Sequence, residues 1–253
     1  TKLADAEFAL YKGEAVAGSP EIPSIETSNG SDGGTLGEAV FPSNGSPAWL
    51  EATYDTENPV YYTLKEIKAP SGYERIAEPL TFYITSAGKV VFKTPEAEAV
   101  KTQYAVDNEG ASVTLTAKDR KTEFILAKKK QDVDAPAEPM DGVTLDIYEQ
   151  NEDGSRGTDK VLAWEALPDR VIIWKASSWS KYDALDTTLT DGTIKGLPAG
   201  NYILAEDDST RDEYLKIEDT PFTVNTDGTV SGRSTTSTNG SSYVTFDAGK
   251  LSI

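Results

Sequence analysis

The sequence repeats itself, and this repeat limits the possible folds more than any other feature. Residues 61–66 (YYTLKE) align with residues 201–206 (NYILAE), so the pattern Tyr-x-Leu-x-Glu occurs twice. Three more pairs follow the same order along the chain: 1–12 with 138–149, 78–92 with 219–232, and 106–115 with 246–253. Four matches in one order at similar spacing predict tandem copies of a single domain, 1–120 and 121–253.

Each copy is predicted to be an all-β sandwich of immunoglobulin-like or prealbumin-like type. Short runs rich in Val, Ile, Thr, Tyr and Phe alternate with polar turn clusters such as 27–34 (TSNGSDGG) and 151–157 (NEDGSRG). No long stretch has helical periodicity, and short strands separated by regular turns are typical of sandwiches and barrels.

Composition excludes several classes of function. The 253 residues include no Cys and no His, which removes disulfides, Ser-His-Asp and Cys-His catalysis and the commonest zinc sites. The formal net charge of -18 disfavours nucleic acid and anionic membranes as partners. No apolar run is long enough to cross a bilayer, so membrane insertion is not expected. We predict no cofactor and no metal site. Calcium binding by the acidic segments 132–138 and 206–213 is the open alternative, although they lack EF-hand spacing.

One glutamate of the repeat raises a physical problem. In a strand over residues 61–66, Glu66 lies on the same face as Tyr62 and Leu64. Burying a carboxylate is unfavourable unless it is partnered or protonated. A strand-end glutamate at the solvent edge is the simpler alternative, but the second occurrence at Glu206 favours burial in both copies.

The segment 61–74 (YYTLKEIKAPSGYE) resembles the E-box of CnaB-type domains, the SpaA-like, prealbumin-like repeats of Gram-positive surface adhesins and pilins. The surrounding order is similar too: a Leu-Ala-Asp-Ala-Glu-Phe-x-Leu-Tyr strand, an Ala-Pro-x-Gly-Tyr turn, a Pro-x-x-Phe hairpin and a terminal Val-x-Leu strand. The resemblance covers nearly all of both copies, although 201–214 departs from it where the Ala-Pro-x-Gly-Tyr turn is replaced. It implies an extracellular, cell-wall-attached module whose partners are neighbouring repeat domains or pilin subunits.

The family is known for intramolecular isopeptide bonds, and the resemblance implies the roles of the residues. A lysine on the first strand condenses with Asp or Asn on the last strand, beside the E-box glutamate, here Glu66 or Glu206. Burial lowers the pKa of a lysine and raises that of a carboxylic acid, so that the glutamate can relay protons between them. The glutamates would therefore act once, each on its own domain.

The reacting partners have candidates in two segments. In 122–130 (TEFILAKKK), Lys128 shares a face with two apolar residues and is similar to the family's reactive lysine; Lys130 is the alternative, and a solvated basic run remains open. In 113–119 (VTLTAKD), Asp119 ends the apolar stripe in the acceptor's position, although a turn aspartate is equally compatible. The more usual Asn, two positions earlier, falls on Ala117, which cannot react.

The alignment leaves both constellations incomplete. Nothing ahead of Leu3 corresponds to 122–130, and Ile253 comes four residues before the counterpart of Asp119. Asp247 is the nearest carboxylate, a poor substitute for that missing acceptor. We therefore expect a piece of a longer repeat array, in which neither copy completes its bond within residues 1–253.

The preferred interpretation is a structural stalk or pilin module rather than a multiple-turnover enzyme. The alternative is a region of an adhesin that binds carbohydrate or a host protein, with Trp179 as its candidate contact. Ile172 and Trp174 alternate along the same segment, 170–183, and are expected to point into the core.

Overall fold

The computed structural model describes residues 2–31, 35–39, 50–93, 103–109, 113–130, 138–209, 216–232, 235–236, 243–247 and 250–252. For residues 130, 138, 207–209, 235–236, 243–247 and 250–252 it describes the backbone alone. The described chain is built from β-strands with a short 3₁₀ helix at Ser180–Tyr182, so the all-β prediction is confirmed. In this part of the chain, no helix is long and apolar enough to cross a membrane.

The chain divides into two compact units. Unit 1 comprises Thr1–Pro70 and Arg75–Arg120, and unit 2 comprises Ser71–Glu74 and Lys121–Ile253.

Unit 1 contains an antiparallel sheet and a hairpin. The sheet has the order β2-β1-β3-β4-β5 and is formed by β1 (Glu7–Lys12), β2 (Ile22–Glu26), β3 (Tyr61–Lys68), β4 (Leu80–Ile84) and β5 (Val90–Phe92). The hairpin pairs β6 (Tyr104–Asp107) with β7 (Thr114–Ala117). One core joins the two layers, because Tyr104, Leu115 and Ala117 of the hairpin belong to the same apolar cluster as Leu10 and Tyr62 of the sheet.

Unit 2 contains two larger sheets and a small ribbon. In chain order, the strands of unit 2 are β8 (Glu123–Ala127), β9 (Lys129–Lys130), β10 (Glu138–Pro139), β11 (Val143–Gln150), β12 (Arg156–Ala166), β13 (Val171–Lys175), β14 (Thr193–Lys195), β15 (Gly200–Ser209), β16 (Thr220–Val224), β17 (Val230–Gly232), β18 (Thr235–Thr236), β19 (Tyr243–Asp247) and β20 (Lys250–Ser252). The six-stranded sheet has the order β13-β12-β11-β15-β16-β17 and the five-stranded sheet the order β14-β8-β20-β19-β18. Strands β9 and β10 pair only with each other among the described strands.

The core of unit 2 follows from alternation along its strands. In β8, Phe124 and Leu126 are each 1% exposed, whereas Ile125 between them is 41% exposed. They pack in one cluster with residues of the facing sheet, among them Leu145 and Trp164. In a strand whose one face is buried, this period of two is what burial of apolar area produces.

One sequence expectation about this core is wrong. Trp174 is 44% exposed, and its neighbour Ile173 is the buried residue at 4%. The reason is the pairing of β13 with β12, which sets Ile173 opposite the core residue Trp164. A strand shows alternate residues to opposite faces, so Ile172 and Trp174 lie on the outer face.

The repeat extends to an unusual backbone feature. Asp5 has φ of 62°, and Gly142, its counterpart in the alignment, has φ of 72°. Both amides donate to a backbone carbonyl at the end of the neighbouring strand. Asp5 N donates to Thr27 O, just after β2, at 3.0 Å, and Gly142 N donates to Ala166 O, the last residue of β12, at 2.9 Å. Glycine adopts this conformation at no steric cost and Asp tolerates it better than most residues. The turn before the first sheet strand is therefore the same in both units.

Candidate functional site

Glu66 is buried in unit 1 and partly satisfied. It is 1% exposed on β3, where it pairs with Phe8 of β1. Its Oε2 accepts a hydrogen bond of 2.6 Å from the backbone N–H of Ile76, while Oε1 is buried without a hydrogen-bond partner. Burial raises the pKa of Glu66 to about 8; the charge of Asp119 adds to this, and the Ile76 hydrogen bond and the charge of Arg75 oppose it. At neutral pH this side chain therefore holds its proton.

Asp119 lies beside Glu66 just beyond the end of β7. Its Oδ1 is buried and has no hydrogen-bond partner, and burial raises the pKa of Asp119 to about 6. Tyr104, on β6, is also buried, and its hydroxyl has no partner. Burial, reinforced by the charges of Glu66 and Asp119, raises the pKa of Tyr104. Unit 1 thus contains two carboxyl groups and a phenol that interact electrostatically, each with one buried oxygen atom that has no hydrogen-bond partner.

Unit 2 holds the complementary half of such a site. Lys128 and Glu206 are 6% and 7% exposed, and Lys128 Nζ donates to Glu206 Oε2 at 2.8 Å. The same oxygen accepts a hydrogen bond of 3.0 Å from the backbone N–H of Ile217. A buried charge needs such a partner, because an isolated ion is strongly disfavoured away from water.

The two glutamates occupy equivalent places in their units. Each is the buried last residue of a Tyr-x-Leu-x-Glu motif within a strand. Each accepts a hydrogen bond from an isoleucine amide, ten residues later for Glu66 and eleven for Glu206. The solvent-edge alternative for both side chains is therefore wrong. The two glutamates differ in their neighbours. Glu66 has the carboxyl group of Asp119 nearby and is paired with none of the described lysines, whereas Glu206 is paired with Lys128.

The arrangement is suited to condensation of an amine with a carboxylic acid. A carboxyl group with a raised pKa is the neutral, electrophilic form that an amine can attack, whereas a carboxylate resists attack. A second, protonated carboxyl group at hydrogen-bonding range can exchange protons with the amine and with the departing oxygen. Within unit 1 there are two such carboxyl groups, Asp119 and Glu66. Within unit 2 there are an amine, Lys128, and a carboxyl group, Glu206.

The other candidates lie elsewhere. Lys129 is exposed, as the alternation predicts. The side chains of Lys130, on β9, and Asp247, on β19, lie outside the described part of the structure. Trp179 is 46% exposed, and Lys181 Nζ lies 4.7 Å from the centre of its ring, so one face of the indole is already covered. Its role in binding stays a prediction.

Sequence reasoning missed two parts of this site. The amides of Ile76 and Ile217 could have been found, since each follows a tyrosine by three positions, in YERI (73–76) and YLKI (214–217). Tyr104 carries no such signal, because a tyrosine in a strand is usually a core residue. No group of three acidic side chains that could hold a metal ion occurs among the described residues.

Comparison with known proteins gives one family. Residues 1–98 match the family described as "SpaA: Prealbumin-like fold domain". This stretch is similar to a SpaA-type domain. The family resemblance inferred from the E-box is therefore confirmed here, together with the prealbumin-like fold class. None of the curated proteins matches the chain.

Several solved structures align with most of the chain at low similarity. A C-terminal fragment of the pilus adhesin SpaC from Lactobacillus rhamnosus GG has TM-score 0.41 and 16% identity, covering 99% of this chain and 88% of that one. The SpaE basal pilin of the same organism has TM-score 0.28 and 16% identity, with coverages of 87% and 74%. The minor pilin GBS52 of Streptococcus agalactiae has TM-score 0.25 and 14% identity, with coverages of 100% and 81%. Likenesses this distant transfer no property of those proteins to this chain.

Proposed function

We propose that the chain is a structural and adhesive module of a Gram-positive cell-surface protein or pilin. Its units are of the type stabilised by an autocatalytic, intramolecular isopeptide bond. The observation that carries the proposal is the pair of buried glutamates in equivalent positions, each beside one half of a lysine–carboxyl pair. The similarity of residues 1–98 to a SpaA-type domain supports the surface location.

In unit 1 the acceptor is Asp119 and the proton relay is Glu66. The amine of a lysine adds to the carboxyl carbon of Asp119, and the protonated Glu66 gives its proton to the hydroxyl oxygen of Asp119, which leaves as water. Glu66 then takes a proton from the nitrogen, which becomes the amide N–H. Burial makes each step easier, because it keeps Glu66 protonated near pH 7 and, by raising the pKa of Asp119 to about 6, increases the share of Asp119 that is neutral. Proximity within a folded sheet supplies much of the remaining rate.

In unit 2 the amine is Lys128 and the relay is Glu206. The first strand of the unit, β8, pairs in parallel with β20, in the register Leu251 opposite Leu126 and Ser252 opposite Ala127. In the alignment of the two copies, the counterpart of Asp119 would come four residues after Ile253, and an Asp or Asn there would complete the site.

Such a bond explains how a β-sandwich without disulfides can serve as a shaft. Where the first and last strands of a unit are neighbours, a covalent bond between them carries a pulling force directly from one end of the unit to the other. The remaining strands are then not loaded. The crosslink also restricts the unfolded chain, as a disulfide does.

The test uses the repeat to complete unit 1. A copy of residues 122–137 placed ahead of Thr1 supplies a lysine strand at the spacing that unit 2 uses. We expect the intact mass of this extended chain to be one water below the calculated mass, and Asp119→Ala and Glu66→Ala to restore the full mass. The matched control has methionine in place of the added lysine that corresponds to Lys128. A full mass in the unsubstituted extended chain contradicts the proposal, and a persisting deficit in Glu66→Ala removes the relay role.

A further inference from the structure

The ring of Tyr104 packs in the core of unit 1, but its buried hydroxyl has no evident structural role. Tyr104 is 3% exposed, and its hydroxyl makes no hydrogen bond. A buried tyrosine hydroxyl usually has a partner. The contrast lies in the same core, where the hydroxyl of Tyr62, 2% exposed, accepts a hydrogen bond of 2.7 Å from the amide of Glu51.

The pairing of β6 with β7 brings Tyr104 near Asp119. Tyr104 lies opposite Ala117, the last residue of β7, and Asp119 follows two residues later. The amide of Lys118, between them, donates to Gln103 O at 2.8 Å, so the two segments stay adjacent beyond the strand end. Side chains related by such a diagonal are within reach of a long aromatic residue. Glu66 and Asp119 both act electrostatically on Tyr104, and Arg75 is the other charge that acts on Glu66.

Each of these three residues has a buried oxygen atom without a hydrogen-bond partner: Tyr104 Oη, Glu66 Oε1 and Asp119 Oδ1. The first is a hydrogen-bond donor and the others can accept. Catalytic hydrogen bonds are often long before the reacting partner arrives and shorten when it binds. An aromatic residue that only filled space would be expected as phenylalanine, which avoids an unsatisfied hydroxyl.

We propose that Tyr104 is a positioning residue of the unit 1 site, whose hydroxyl donates a hydrogen bond to Oδ1 of Asp119 when that oxygen carries negative charge. The inference rests on the proposed isopeptide chemistry. When the lysine nitrogen bonds to the Asp119 carboxyl carbon, the electron pair of the C=O bond moves onto Oδ1. The Tyr104 hydroxyl stabilises that negative charge and keeps its own proton. The pair returns when the other oxygen leaves as water, protonated by Glu66, and the hydroxyl then donates to the amide carbonyl.

The first measurement uses the chain as it is. Carbon-13 NMR follows the titration of the Glu66 and Asp119 carboxyl groups in the unsubstituted chain, in Tyr104→Phe and in Tyr62→Phe. A hydrogen bond to the charged form lowers a carboxyl pKa, so its loss in Tyr104→Phe should raise the pKa of Asp119. Tyr62→Phe also loses a buried hydroxyl and should leave both titrations unchanged. Unchanged titrations in Tyr104→Phe overturn the inference.

The second measurement is the rate of mass loss in the chain extended by residues 122–137. Losing one donor to a developing oxyanion slows such reactions by about 100-fold. We expect Tyr104→Phe to slow the crosslink by about 10- to 100-fold while the final mass remains one water low, and Tyr62→Phe to keep the original rate. An unchanged rate in Tyr104→Phe overturns the inference alone, since the crosslink itself would still form. Absence of any mass loss in the unsubstituted extended chain overturns the proposed function and, with it, the role of Tyr104 in catalysis.

Discussion

Replacing Glu66 by glutamine should stabilise unit 1 at alkaline pH, an unusual result for a change in a buried site. Glutamine has nearly the same shape, and its carbonyl oxygen can still accept the hydrogen bond from Ile76 N. It cannot ionise. The carboxyl group of Glu66 can, and at high pH the folded unit must hold that charge in an apolar place.

The size of the effect follows from the pKa. Burial raises the pKa of Glu66 from 4.5 to about 8. Between these values the folded unit keeps a proton that the unfolded chain has released, so the free energy of unfolding falls as pH rises, and it levels off above about pH 8. Each pKa unit corresponds to about 1.4 kcal/mol, which gives a loss of at most about 4 to 5 kcal/mol across this window. Glu66→Gln should remove that loss.

Urea unfolding at pH 5, 7 and 9 measures the free energy of unfolding. The NMR signals of Leu64 in β3 and Leu204 in β15 report on units 1 and 2 separately. The matched control is Glu206→Gln, the same change at the equivalent position. It leaves Lys128 buried without its carboxylate, so unit 2 should lose roughly 3 to 5 kcal/mol. A unit 1 stability that is flat between pH 5 and 9, or lower in Glu66→Gln than in the original chain at pH 9, would refute the reasoning.

Two further predictions concern the same groups. Asp119→Asn should lower the pKa of Glu66 below about 8, because the charge of Asp119 is one cause of its elevation; carbon-13 NMR titration checks this, and an unchanged pKa would show that the two carboxyl groups do not interact. Lys128→Met alone should destabilise unit 2 by leaving Glu206 as an unpaired buried carboxylate, whereas the double change Lys128→Met with Glu206→Gln should recover most of the loss. Chemical denaturation of the three proteins gives the coupling, and strictly additive losses would contradict a buried pair.

The strand pattern and the inward glutamates were predictable because they depend on local periodicity and on repetition. Alternation in TEFILAKKK separates the buried Phe124 and Leu126 from the exposed Ile125. Alternation fails where no polar residue marks the phase, as in VIIW (171–174), where three apolar neighbours precede the tryptophan. There the pairing with β12 decides which residue is buried, and Ile173 rather than Trp174 fills the core.

By itself, the sequence determined the all-β class, the repeated Tyr-x-Leu-x-Glu strands and the residue types able to react, since these follow from periods of two and from the order of motifs. Only the tertiary structure decided that Lys128 contacts Glu206 and that Tyr104 comes within electrostatic range of Glu66 and Asp119. These contacts join residues that are distant in the chain, and their strength depends on the exclusion of water. No local pattern of letters records either property.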